Sequence, residues 1–174
     1  MSELRTNRIV PRDGLPSGSA GGIIQVRQKV ITDTYSESVP AGNAGPYGNI
    51  VNSETITPKF NTSKILIMTC QHCITRSLSN FYHFLNRGTT HIFMLEPFVD
   101  TSSWTCYNAS VTFLDSPATT NAVTYKTTAQ TPNNSSGANL RYQYNNISGD
   151  DSTVHGDLTG YGSRTTMTLM EVSA

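Results

Sequence analysis

The sequence predicts an all-β protein, a single β-sandwich of jelly-roll type with about eight strands, preceded by an extended N-terminal arm. Three observations lead there. Of the 174 residues, 57 are Thr, Ser or Asn, and hydroxyl and amide side chains favour pleated surfaces and turns over helix interiors. Apolar residues recur with a period of two, in short runs bounded by turn residues. Finally, no stretch carries an apolar stripe at helical spacing over three turns.

The chain divides into an arm with a hinge, residues 1–22, and a β-domain, residues 23–174. In "MSELRTNRIVPRDGLPSGSAGG", Pro11, Pro16 and the clustered glycines forbid a regular element. Leu4, Ile9, Val10 and Leu15 are interspersed with Arg5, Arg8 and Arg12. Such a segment suits attachment to a partner: apolar side chains fill grooves, guanidinium groups pair with carboxylates, and the backbone can extend a sheet edge. The run "PSGSAGG" reads as a hinge.

In "GIIQVRQKV", Ile24, Val26 and Val30 share one face while Gln25, Arg27 and Lys29 share the other. "SETITPKF" gives a short strand stopped by Pro58, and "SKILIMTC", apolar on both faces, reads as a central strand. "NFYHFLNRGTTHIFMLE" reads as a hairpin turning at Asn86-Arg87-Gly88, where Gly88 can take positive φ. "ASVTFLD" and "AVTYKTTA" follow, separated by Asp115-Ser116-Pro117, in which Pro117 presets φ and the Asp115 side chain can cap the turn. "LRYQY" and "TTMTLMEV" complete the set. The irregular stretches 36–52, 97–108 and 131–161 are long for a small β-domain, as expected of segments that contact something.

Lys and Arg number 12, as do Asp and Glu, so the net charge is zero. That balance argues against steering toward nucleic acid or an anionic membrane. No apolar run exceeds about five residues, against ~20 for a membrane span, and the first twenty residues lack a signal-peptide core. Cys70-Gln71-His72-Cys73 has the look of a redox or zinc motif. It has no second ligand pair at zinc-site spacing, and residues three apart on a strand point to opposite faces. Free packing thiols are the expectation.

His72, His83, His91 and His155 are the available bases, and His83 and His91 flank the same hairpin, where they could approach each other. None has a nucleophile or carboxylate at a recognisable spacing. Asp150, Asp151 and Asp157 beside His155 lack the order of a calcium loop. Cleavage of a glycan would need paired carboxylates, yet Glu54, Glu96, Asp100 and Asp115 read as strand-end or turn residues. No enzyme activity, cofactor or metal is expected. Aromatic rings stack on sugar faces, so Trp104, Tyr107, Tyr142 and Tyr144, in or near the long loops, are the candidate receptor contacts. The alternative for them is packing in the core or against another subunit.

"TFLDSPATTNAVTYKTTAQ", with "GGIIQV", "SKILIM", "FLNRGTT" and "TMTLMEV", resembles a family of small virion proteins of marine and cyanobacterial phages. These proteins are usually labelled tail-fibre or virion structural proteins. "LRTNRIVPRDGLPSG" is similar to the family's short N-terminal arm. The resemblance spans nearly the whole chain. It implies a fibre or spike made of homotrimers, synthesised in the host cytoplasm, joined to other virion proteins and without catalytic residues. A capsid decoration or head-fibre protein, or a glycan-binding β-domain, are the alternatives. A hydroxyl-rich surface with few ion pairs depends little on ionic strength, which suits a particle outside the cell.

Overall fold

A computed structural model describes residues 22–31, 35–39, 50–77, 81–98, 105–130, 138–142 and 164–173. Every regular element among them is a strand, and ten are present. They are β1 (Ile23–Ile31), β2 (Tyr35–Val39), β3 (Ile50–Ile56), β4 (Lys64–Ser77), β5 (Phe81–Arg87), β6 (Thr90–Phe98), β7 (Thr105–Asp115), β8 (Val123–Gln130), β9 (Ala138–Tyr142) and β10 (Thr165–Val172). All pairings are antiparallel. The all-β sandwich read from the sequence is therefore the observed class.

Six strands form one sheet in the order β1-β10-β4-β9-β2, with β7 also paired to β4. β4 organises this sheet because it is long enough to take three partners. β10 pairs with residues 64–70 and β9 with residues 73–77, while β7 runs beside residues 65–75. The second sheet has the order β3-β8-β5-β6. The predicted hairpin is β5–β6, and Gly88 sits in its turn with φ 57°. A Cβ placed there would meet nothing within 4 Å, so a substitution meets backbone strain alone. Gly88→Ala is expected to cost about 1 kcal/mol and Gly88→Asn less, because Asn tolerates the left-handed region. Urea unfolding of both variants measures this.

The core lies between the two sheets. Ile65, Ile67, Val111, Met167 and Leu169 come from the six-stranded sheet, and Ile56, Leu85, Val123 and Tyr125 from the four-stranded one. Residues 64–71 show why the sequence folds this way: Ile65, Ile67, Thr69 and Gln71 are buried, while Lys64 and Cys70 are exposed and Leu66 and Met68 half-buried. Each buried aliphatic side chain contributes roughly 1.5–3 kcal/mol through the area it removes from water.

Polar side chains also join the sheets. Asp115, at the end of β7, accepts from Arg87 Nη1 through both carboxylate oxygens at 3.0 Å and from the Tyr125 hydroxyl at 2.6 Å. Both donors belong to the other sheet. The Asp115 carboxylate is thus spent on the opposite sheet rather than on capping its own turn, where Ala118 adopts φ 52° after Pro117. On β4, Gln71 Nε2 donates to Thr127 Oγ1 of β8. Glu171 of β10, fully buried, accepts from Lys59 N at 2.6 Å and Gln25 Nε2 at 2.6 Å, and more weakly from Phe60 N at 3.4 Å. These three links fasten the β3–β4 connection and β1 to β10.

β1 departs from the usual pattern. Its register with β10 sets Arg27 opposite Leu169 and Lys29 opposite Met167, both core residues, and Val26 opposite Met170. The apolar face of this strand therefore looks outward, and its charged face overhangs the rim of the core. Val26 and Val30 are 51% and 43% exposed.

Candidate functional site

The seven arm residues Leu4, Arg5, Arg8, Ile9, Val10, Arg12 and Leu15 lie outside the described residues, as do Trp104 and Tyr144. So do His155 and the acidic residues Asp150, Asp151 and Asp157. The other two aromatic candidates stand in strands. Tyr107 belongs to β7 and Tyr142 to β9, and each is the register partner of Cys73 on β4. Tyr142 is in turn paired with Tyr35 of β2. Three tyrosines thus share one cross-strand row, at the end of the sheet where β9 and β2 replace β10 and β1. The sequence places Tyr142 in the strand "LRYQY", as observed, but Tyr107 in the irregular stretch 97–108, because "TCYNAS" lacks the apolar alternation that marks a strand.

His83 and His91 do not meet. His83 shares a face of β5 with the core residue Leu85 and is 1% exposed. His91 is opposite Asn86, on the other face of the sheet. Burial lowers the pKa of His83 from 6.5 to about 3, so its ring is neutral at neutral pH. His91 Nδ1 pairs with Asn86 Oδ1, Asn86 Nδ2 donates to Thr128 Oγ1 at 2.8 Å, and the His91 ring stacks on Phe84 at 4.4 Å. These contacts orient the imidazole without bringing it a nucleophile.

The carboxylates fill structural roles as well. Glu54 and Glu96 fall inside β3 and β6 rather than at strand ends, and Glu54 Oε1 accepts from Thr55 N at 3.0 Å. For Glu171, burial alone would raise the pKa, but the hydrogen bonds from Gln25, Lys59 and Phe60 outweigh it and hold the group below its ordinary value. Tyr125 is pushed upward by burial first and by its bond to Asp115 second, so it stays a hydroxyl donor. Cys70 is exposed as a free thiol on the outer face of β4. Among the described residues no group of three or more His, Cys, Asp or Glu is placed to hold a metal ion, and no helix is long and apolar enough to cross a membrane.

The outer face of the six-stranded sheet holds a shallow groove of about 300 Å³ between β4, β7 and β10, lined by Met68, Cys70, Ser110, Thr112, Thr166 and Thr168. Hydroxyls and a thioether in such a groove bind through shape and weak hydrogen bonds rather than by charge.

No protein-family model matches the sequence, and no curated protein matches it. Among solved structures, dimeric latent PorU from Porphyromonas gingivalis is 14% identical over 72% of this chain and 13% of that one, with a TM-score of 0.33. Infectious bursal disease virus, Gt strain, is 12% identical over 87% of this chain and 39% of that one, with a TM-score of 0.34. The chain spans less than half the length of either protein. Likeness this weak attaches no function to it.

Proposed function

We propose that this chain is a phage virion structural protein of the tail-fibre or spike type. Its N-terminal arm joins the particle, and its β-domain, assembled as a homotrimer, faces outward and carries host contact. The observation that carries this reading is the combination of a strand-only sandwich held together by internal polar links with a hydroxyl-rich, charge-poor surface. Such a domain keeps its shape in brine because few of its stabilising contacts are exposed ion pairs. The basic and apolar arm, similar to that of the phage family, supplies the attachment. Host contact, with a surface glycan or protein, is assigned to the Tyr107–Tyr142 end of the sheet together with Trp104 and Tyr144.

Deleting residues 2–20 tests the attachment. The truncated protein is expected to fold and assemble with an unchanged circular dichroism spectrum and to be missing from purified particles. Normal incorporation of the truncated protein would make the arm dispensable and overturn the reading.

A further inference from the structure

We propose that the interior of the sandwich contains a binding site for ordered water, enclosed by Asn52, Gln71, Thr127 and Thr165. Each of the four is at most 1% exposed, and each comes from a different strand. Asn52 of β3 is the register partner of Thr127 of β8. Thr165 of β10 precedes Thr166, the partner of Cys70, and so lies beside Gln71 of β4. Across the sandwich, Gln71 Nε2 donates to Thr127 Oγ1, and β10 packs over β3. The four residues thus close a polar ring between the sheets. The next inward positions on β10 and β8, Met167 and Tyr125, belong to the core.

The ring is set up by a fault in the ladder. Continuing the Ile50–Thr128 register would set Asn52 against Lys126, whose side chain faces out of the sandwich. The shift between Ile50 and Asn52 sets it against Thr127 instead, facing inward. Re-aiming a side chain is what a bulge does.

The hydrogen bonds of the ring leave a defined remainder. The Thr127 hydroxyl donates its proton to the Asn52 carbonyl at 3.4 Å. Its oxygen is left to accept, which fixes the Gln71 amide with Nε2 toward Thr127 and Oε1 turned away. Four buried atoms of the ring then have no partner among the described residues: Asn52 Nδ2, Asn52 Oδ1, Gln71 Oε1 and Thr165 Oγ1. Buried polar atoms are nearly always hydrogen-bonded, because an unpaired one forfeits the bond it made to solvent in the unfolded chain. Four of them in one ring mark a place for a polar ligand.

Their chemistry selects which. Asn52 Nδ2 donates, Asn52 Oδ1 and Gln71 Oε1 accept, and the Thr165 hydroxyl does either. Water carries two donors and two acceptors, and a buried water makes about three such bonds. No charged side chain belongs to the ring, so an ion of either sign would enter the interior without a counter-charge. Nothing in this site depends on a role in a virion.

A crystal structure of the full chain at atomic resolution, and the stability of two near-isosteric variants, test the site. Density is expected for at least one water within ~3 Å of the Asn52, Gln71 and Thr165 side-chain atoms. Thr165→Val and Asn52→Leu keep the side-chain shape and remove partners of that water. Each should lower the folded-to-unfolded ratio in urea on the order of tenfold. If the four atoms were dry, the same substitutions would delete unpaired polar groups and raise that ratio. Should Asn52→Leu fail to fold, Thr165→Val, which loses one hydroxyl, carries the comparison. A ring that is dry in the density, or filled by an ion or by another side chain of the protein, overturns the proposal. So does a Thr165→Val variant as stable as the wild type or more so.

Discussion

Between pH 6.5 and 4.5 the protein is expected to lose about 2 kcal/mol of folding stability through His83 alone. The ring is buried and its pKa is lowered from 6.5 to about 3. Well above pH 6.5 neither the folded nor the unfolded chain protonates it, so stability is complete there. Below that value the unfolded chain takes up a proton that the folded chain refuses until about pH 3. Each pH unit in this window costs about 1.4 kcal/mol. Glu171 acts in a second, lower window. Its folded pKa lies below its ordinary 4.5, so its contribution is present above 4.5 and is lost as the pH falls through the folded value. Urea midpoints at pH 7, 5.5 and 4.5 follow His83 alone, and a further midpoint at about pH 3.5 enters the Glu171 window. The wild type should decline steadily across that series, and His83→Gln, which keeps polar atoms but does not titrate, should flatten the decline. A wild-type midpoint that does not move between pH 6.5 and 4.5 contradicts the placement of His83.

Asp115→Ala is expected to cost about 3 kcal/mol. The carboxylate is the shared acceptor of Arg87 and Tyr125, and its side chain is 10% exposed. Removing it leaves the buried Tyr125 hydroxyl without its acceptor and detaches β7 from the opposite sheet. Asp115→Asn, which can still accept from Tyr125, should cost about half as much. Arg87→Ala should cost less than Asp115→Ala, because Arg87 is 36% exposed and its charge is partly screened by water. Equal losses for the two alanine variants would show that the ion pair, rather than the tyrosine bond, carries the link.

Much of the fold was legible because a half-buried strand writes its period into the sequence. Val123-Thr124-Tyr125-Lys126 alternates as its burial does, and the Asn86-Arg87-Gly88 turn appears where a residue able to take positive φ was available. β2 escaped notice because "YSESV" offers only Tyr35 and Val39 as apolar marks, separated by serines and a glutamate. The direction of β1 was equally hidden. Alternation defines two faces, but which one looks inward is decided by the neighbouring strand, and here Met167 and Leu169 of β10 set the charged face of β1 toward the core.

The candidate site was less legible than the fold. The Asp115–Arg87–Tyr125 link joins residues far apart in the chain with no motif to announce them. The tyrosine row arises only when β7 and β9 are both laid against Cys73. The arm, which composition singles out most clearly, lies outside the described residues, so its role rests on its chemistry and on the family resemblance.

The most direct measurement of the central claim is to locate the protein on particles. On the proposed reading, purified virions of a phage that carries the gene, probed by mass spectrometry and by gold-labelled antibody against the β-domain, are expected to contain the full-length chain and to carry label on the tail or outer surface. Particles that assemble and infect normally while containing none of the protein would contradict a virion role.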